Sequence, residues 1–175
     1  IVYFAGRKDT PLESHLYSAP LFKKGDSKRI TEEGQYHNVV LAKDNKTFID
    51  TSSSVNKPKS AALRKVNGEF ITWLEENKLD NSHPLTPYLS NLATPEYGTL
   101  KADDGQIMHY RLFKPTNMSA GKKHPVIVNV YGGPHAQRVT NSWRSKNLYF
   151  QYMAQQGYVI FQLDNRGSYN RGKKF

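Results

Sequence analysis

What most constrains this chain is a pair of nearly continuous apolar runs toward its C-terminal end. Pro125-Val126-Ile127-Val128-Asn129-Val130-Tyr131 and Tyr158-Val159-Ile160-Phe161-Gln162-Leu163 each read as a strand buried on both faces, as in the middle of an α/β sheet. Between them, Asn147 to Gln156 sets Leu148, Tyr149, Tyr152 and Met153 at helical spacing, and Gly157 suits a helix C-terminus. Strand, helix, strand over this length predicts a crossover unit whose two strands run parallel and right-handed. Upstream, Tyr97 to Ala102 and Gln106 to Lys114 flank Asp103-Asp104-Gly105, a hairpin signal. In the second of these strands Met108, Tyr110 and Leu112 share one face, and Ile107, His109, Arg111 and Phe113 the other.

Residues 1–70 read differently. Short apolar or alternating runs (Ile1 to Ala5, Ser14 to Leu21, His37 to Ala42, Thr47 to Asp50, Ala61 to Val66) are separated by turn chemistry. The turns are Gly6, Lys24-Gly25-Asp26, Lys43-Asp44-Asn45-Lys46 and Asn67-Gly68. Regular short strands of this kind predict an antiparallel β architecture. The stretch is one or two blades long for a repeat of roughly 40 to 50 residues, and such a blade buries its faces only against neighbours. The competing reading is half of a small β-sandwich. Residues 71–92 are expected to connect the two regions. Thr72 to Leu79 has helical character, with Leu74 and Leu79 near Trp73, and Pro84 and Pro87 end any helix there.

Bulk properties exclude several classes. At 37% hydrophobic and 23% charged residues, the composition is that of an ordinary globular protein. No apolar run reaches the roughly 18 residues of a membrane-spanning helix. Ile1 to Gly6 is not a signal peptide, and the missing initiator Met predicts further sequence upstream. Without cysteine there are no disulfides, thiolate nucleophiles or zinc–thiolate sites. The net charge of +10 comes from scattered residues such as Lys23-Lys24, Lys28-Arg29, Lys57, Lys59, Lys122-Lys123, Arg171 and Lys173-Lys174. With no basic block or nucleic-acid motif among them, a solvated surface is expected and no nucleic-acid partner. His15, His37, His83, His109, His124 and His135 lack metal-ligand spacing, and Glu32-Glu33 and Glu75-Glu76 read as surface carboxylates. No cofactor and no metal are expected.

Two segments carry chemistry, each at a strand end, where open α/β sheets place ligands. In Val130-Tyr131-Gly132-Gly133-Pro134-His135 the glycines permit a sharp exit from the strand and Pro134 stiffens it. Such a loop beside a nucleophile forms part of an oxyanion hole; read blandly, it is a strand-to-helix turn that needs glycine. In Leu163-Asp164-Asn165-Arg166-Gly167-Ser168, Arg166 suits either carboxylate binding or anchoring of the loop. Ser168 lacks the G-x-S-x-G elbow of a nucleophile.

Together, V-Y-G-G-P-H at 130–135 and D-N-R-G-S at 164–168 resemble the prolyl oligopeptidase family of serine peptidases, most closely its dipeptidyl peptidase IV branch. Asp50-Thr51-Ser52-Ser53-Ser54 with Pro58 is similar to a stretch in the last propeller blade of that branch, and the resemblance spans the chain. It implies a mixed β and α/β fold: last β-propeller blade strands over 1–70, a connecting segment over 71–92, and the N-terminal part of an α/β-hydrolase domain over 93–175. It implies a Ser–Asp–His triad that releases N-terminal dipeptides, usually after proline, through an acyl-enzyme. Tyr131 matches the tyrosine whose hydroxyl donates to the oxyanion. His135 and Arg166 match supporting positions without a catalytic role. Peptide substrates and a homodimer of the intact protein are implied, in a periplasmic or extracellular setting, with the cytoplasm left open.

The departure from the family pattern is that no G-x-S-x-G occurs, so the catalytic Ser, Asp and His are absent from this chain and are expected beyond Phe175. Two alternatives stand beside the peptidase reading. One is an acylaminoacyl-peptidase-like hydrolase, whose pattern at this loop is closer to H-G-G-P. The other is a non-catalytic binding module on the same scaffold. Because both halves would lack neighbours that cover their apolar faces, the isolated 1–175 chain is expected not to be a self-sufficient fold. Mass spectrometry with thermal unfolding of the purified chain checks this, and cooperative unfolding of a monomer of the stated mass would refute it.

Overall fold

The computed structural model describes residues 1–119, 121–172 and 175; Lys173 and Lys174 of the basic inventory lie outside them. The chain divides into two compact units, one of Ile1–His83 with Asn141–Trp143, the other of Pro84–Thr140 with Arg144–Phe175.

The first unit is antiparallel β throughout its described strands. Strands β1 (Val2–Gly6), β2 (His15–Ala19) and β3 (Lys28–Arg29) form one sheet in sequential order. Strands β4 (Tyr36–Leu41), β5 (Thr47–Ser54), β6 (Lys57–Lys65) and β7 (Phe70–Glu75) form a four-stranded meander, as a propeller blade does. The turns predicted at Lys43 to Lys46 and at Asn67-Gly68 close two of its hairpins, Gly68 at φ +98° as a left-handed turn position requires. Strand β7 corrects the helical expectation over Thr72 to Leu79. Phe70-Ile71-Thr72-Trp73 is β-branched and aromatic, and pairing with β6 outweighs the Leu74–Leu79 spacing. As an edge strand it is exposed along its length.

This unit is held by buried polar pairs as much as by hydrocarbon. The His37 Nδ1–H donates to Asp50 Oδ1 at 2.8 Å, and His37 Nε2 lies 2.9 Å from the Glu32 carbonyl. Arg64 Nε sits 3.2 Å from Asp50 Oδ2 as an ion pair. Beside it, His15 lies between Thr31 Oγ1 at 3.0 Å and Glu13 Oε2 at 3.1 Å. Burial holds the His15 imidazole below its ordinary pKa, against the opposing pull of Glu13. Glu13 Oε1 in turn accepts from Asn141 Nδ2 at 2.9 Å, and the Trp143 N–H donates to Ser53 Oγ at 3.2 Å, which is how residues 141–143 join this unit.

In the second unit a 3-10 turn, Thr86–Asn91, precedes a mixed sheet of order β10-β11-β9-β8. Strands β8 (Glu96–Lys101) and β9 (Ile107–Phe113) make the predicted hairpin, with Gly105 at φ +85° in its turn. Strands β10 (Val126–Val130) and β11 (Val159–Leu163) run parallel, joined through helix α1 (Ser145–Gln155), while β9 pairs antiparallel with β11. The core is Phe113, Phe150, Ala154 and Ile160, with Ile127, Met153 and Tyr158 packed against it.

Two expectations change here. Helix α1 forms where its spacing predicted, but the buried face carries Asn147, Phe150, Gln151 and Ala154, while Leu148, Tyr149 and Tyr152 face outward. The polar members of the buried face are satisfied: Gln151 exchanges two 2.7 Å hydrogen bonds with the backbone of Ala93. Strand β10 is not buried on both faces. Val126, Val128 and Val130 are 57, 62 and 46% exposed, because α1 covers only the face that carries Ile127.

Asp50→Ala leaves the His37 and Arg64 donors facing a void in the blade, a loss of about 3 kcal/mol. In the full-length protein, native-state amide exchange across β5 should accelerate about a hundredfold. Unchanged exchange would show that the pair is dispensable.

Candidate active site

Both chemistry-bearing segments leave the same end of the same sheet. Val130 is registered with Leu163 across the parallel β10–β11 pair, so Tyr131 and Asp164 are the next residues along two adjacent strands. The sequence separates them by a helix; the crossover brings them together at the carboxyl ends of the strands.

The 131–140 loop turns through two left-handed positions, Gly132 at φ +75° and His135 at φ +69°. The first suits glycine; the second is an uncommon backbone state for histidine, of the kind that clusters at functional loops. Tyr131 is 49% exposed. A Cβ added at Gly133 would lie 3.4 Å from Tyr131 Cε1, so the glycine lets backbone and ring lie close together. The Arg138 guanidinium carbon lies 5.3 Å from the centre of the Tyr131 ring, a cation–π distance.

The loop is fixed from beneath. Asp164, buried, accepts the Arg138 N–H at 2.6 Å and the Val139 N–H at 3.2 Å. Burial raises its carboxyl above the ordinary 3.8 in spite of those two donors. Further along, the Thr140 carbonyl accepts from Tyr97 Oη at 3.0 Å and from Arg111 Nη1 at 3.2 Å. Arg111 is almost wholly buried; its Nε and Nη2 donate to Gln162 Oε1 at 2.9 and 2.6 Å, and Gln162 Nε2 donates to Asn129 Oδ1 at 3.0 Å. Backbone and side chain also join the two loops, through Tyr169 N–H to the Ala136 carbonyl at 3.3 Å and Asn170 Nδ2 to Gln137 Oε1 at 3.4 Å.

The other residues singled out from the sequence fall around this centre. Arg166 pairs with Asp104 in the β8–β9 turn and donates through Nε to the Phe175 carbonyl at 3.3 Å. The Ser168 hydroxyl donates to the Asn165 carbonyl at 2.7 Å, within its own turn. His135 is exposed. Among the described residues no group of three His, Cys, Asp or Glu could hold a metal ion.

Sequence reasoning passed over Asp164 and Arg111. The signal for Asp164 was an acid one residue past a buried strand. For Arg111 it was a cation on the face of β9 that also carries the core residue Phe113.

The site is thus a pair of loops at the carboxyl ends of parallel strands, one presenting a phenol, in a chain whose first unit contains a propeller-type meander. Comparison with known proteins agrees with that class. Residues 1–59 match the family model "Dipeptidyl peptidase IV (DPP IV) N-terminal region". The whole chain is 34% identical to dipeptidyl peptidase 8 of Mus musculus and 33% to that of Homo sapiens, covering 20% of each. It is 27% identical to probable dipeptidyl-aminopeptidase B of Trichophyton verrucosum, covering 19% of that protein. The chain spans about a fifth of the length of these curated relatives. Over its whole length the chain is similar to members of the dipeptidyl peptidase IV family.

The raised carboxyl of Asp164 has a signed consequence. Between 3.8 and its higher folded value the folded chain holds a proton that the unfolded chain releases. That contribution to stability therefore falls as pH rises through the window. In the full-length protein, Asp164→Asn should remove this fall, visible as a changing gap between the denaturation midpoints of the two proteins across acidic pH. A constant gap would contradict it.

Proposed function

We propose that this chain is the junction segment of a serine-type dipeptidyl peptidase, in which the strands through β7 are the last propeller strands, extending the expected 1–70 to Glu75, the segment from there to residue 92 is the connection and 93–175 is the opening of an α/β-hydrolase domain. The whole protein releases N-terminal dipeptides, with proline at the position before the cut, from peptide substrates. The observation that carries the reading is the placement of Tyr131 at the carboxyl end of β10, half exposed on a loop secured by Asp164. The sheet order β10-β11-β9-β8, with a hairpin feeding a parallel crossover, supports a hydrolase domain.

In this reading the nucleophilic serine and its Asp–His partners are supplied by sequence outside the 175 residues. Attack of the serine on the scissile carbonyl moves an electron pair onto the carbonyl oxygen. The Tyr131 O–H donates a hydrogen bond to that oxyanion. A phenol is a neutral donor on a rigid ring, so it strengthens as charge develops and carries no charge that must be neutralised in the resting site. Collapse of the tetrahedral intermediate expels the peptide amine and leaves an acyl-enzyme, which water hydrolyses.

The tyrosine at 131 also favours this branch over an acylaminoacyl-peptidase-like hydrolase. Tyr131→Phe in the full-length protein should lower kcat about 10²–10³-fold with little change in KM for a Gly-Pro or Ala-Pro chromogenic amide. Wild-type kcat in the variant would refute the assignment. The purified 175-residue chain should show no inhibitor-sensitive turnover of the same amides, since oxyanion donors without a nucleophile retain only weak catalysis.

A further inference from the structure

We propose that Arg138 is a positioning residue for Tyr131, seated by the Asp164 carboxylate, so that the phenol is held in its working direction before substrate arrives. The inference rests on Tyr131 being the oxyanion donor, and adds what aims it.

The problem it solves is mechanical. Tyr131 is 49% exposed at the end of an edge strand, outside the apolar core. An aromatic side chain so placed is free to swing about its Cα–Cβ bond, and a donor that misses the developing charge by an ångström loses most of its effect. Its two close neighbours on the loop are the Gly133 backbone and the Arg138 guanidinium, 5.3 Å from the ring centre.

Arg138 is suited to the task because its own backbone cannot drift. Its N–H is bound to Asp164 Oδ1 at 2.6 Å and the next N–H to Oδ2 at 3.2 Å. The following residues, Val139 and Thr140, are fully buried. Its buried Nε has no hydrogen-bond partner among the described residues, so the ring contact is not incidental to a hydrogen bond made at that atom. A planar guanidinium against an aromatic face restrains the ring's tilt, which a point charge on a flexible stem does less well. The chain of restraint runs from the end of β11, through one carboxylate, into the loop backbone and out along Arg138 to the tyrosine.

The test is a double-mutant cycle in the full-length protein with a Gly-Pro chromogenic amide. Arg138→Met should lower kcat about tenfold and leave KM within about twofold. In a Tyr131→Phe background the same substitution should cost nothing further, because the hydroxyl it aims is gone. Arg138→Lys, which keeps the cation and loses the plane, should fall between wild type and Arg138→Met; it also serves if the methionine variant does not fold. Asp164→Asn should lower kcat in the same direction and likewise be absorbed by Tyr131→Phe. An Arg138→Met effect of equal size with and without the tyrosine hydroxyl would overturn the inference, as would wild-type kcat in that variant. Wild-type kcat in Tyr131→Phe alone would instead remove the oxyanion reading beneath it, and that single variant tells the two failures apart.

Discussion

The second unit depends on one buried carboxylate. Asp164 sits a single residue past the parallel strand β11, and both its oxygens are spent on consecutive backbone N–H groups of a loop that leaves the neighbouring strand. A loop with two glycines and two left-handed positions has many conformations available to it. A carboxylate accepting two amides in a dry setting removes most of them. The cost appears in the carboxyl itself, raised by burial because two backbone donors do not replace full hydration. Arg111 secures the far end of the same loop by a different device. Its guanidinium is buried on neutral acceptors, the Gln162 side chain and the Thr140 carbonyl, and lies 5.0 Å from the centre of the Phe113 ring. The two anchors leave the tyrosine end of the loop exposed and its other end fixed.

The first unit uses similar chemistry for a different purpose. A meander with a short sheet beside it buries few large side chains; Leu16, Tyr17 and Phe48 are the large apolar residues wholly out of solvent there. The buried pairs His37–Asp50 and His15–Glu13 occupy the remaining interior. Buried polar pairs seldom add stability over an apolar core of the same volume, but removing one partner is costly. Each pair therefore has to stay whole, since loss of Asp50 or Glu13 leaves a buried imidazole without its partner.

The sequence made some of this legible and hid the rest for definable reasons. Strand–helix–strand periodicity and the Asp103-Asp104-Gly105 turn were readable because they are local, and so was the meander through its turn residues. The β7 strand was misread because Trp73, Leu74 and Leu79 fit a helical spacing while the deciding interaction, pairing with β6, is not local. The buried face of α1 was misassigned because hydrophobicity points to Leu148 and the tyrosines. The sheet instead takes Phe150 and Ala154 together with Asn147 and Gln151, whose polar atoms find partners only in three dimensions. The place of Tyr131 at a strand end was legible from its motif. Asp164 and Arg138 were not, since neither residue type is informative until the parallel register places the two strand ends side by side.

That register limits what the site can do. Parallel strands deliver their following loops to one end of the sheet, so the phenol of Tyr131, the anchor Asp164 and the Arg166–Asp104 pair in the adjoining turn all gather there. Two of these charged groups are already committed: Asp164 to backbone donors and Arg166 to a carboxylate. Tyr131, half exposed beside them, carries a neutral hydroxyl. On the proposed reading, a neutral donor beside charges that are already committed suits a reaction in which negative charge appears only in the transition state. The same commitment explains why the loop can carry a half-exposed aromatic without losing its conformation, since the restraint lies in the backbone beneath the ring and not in burial of the ring itself.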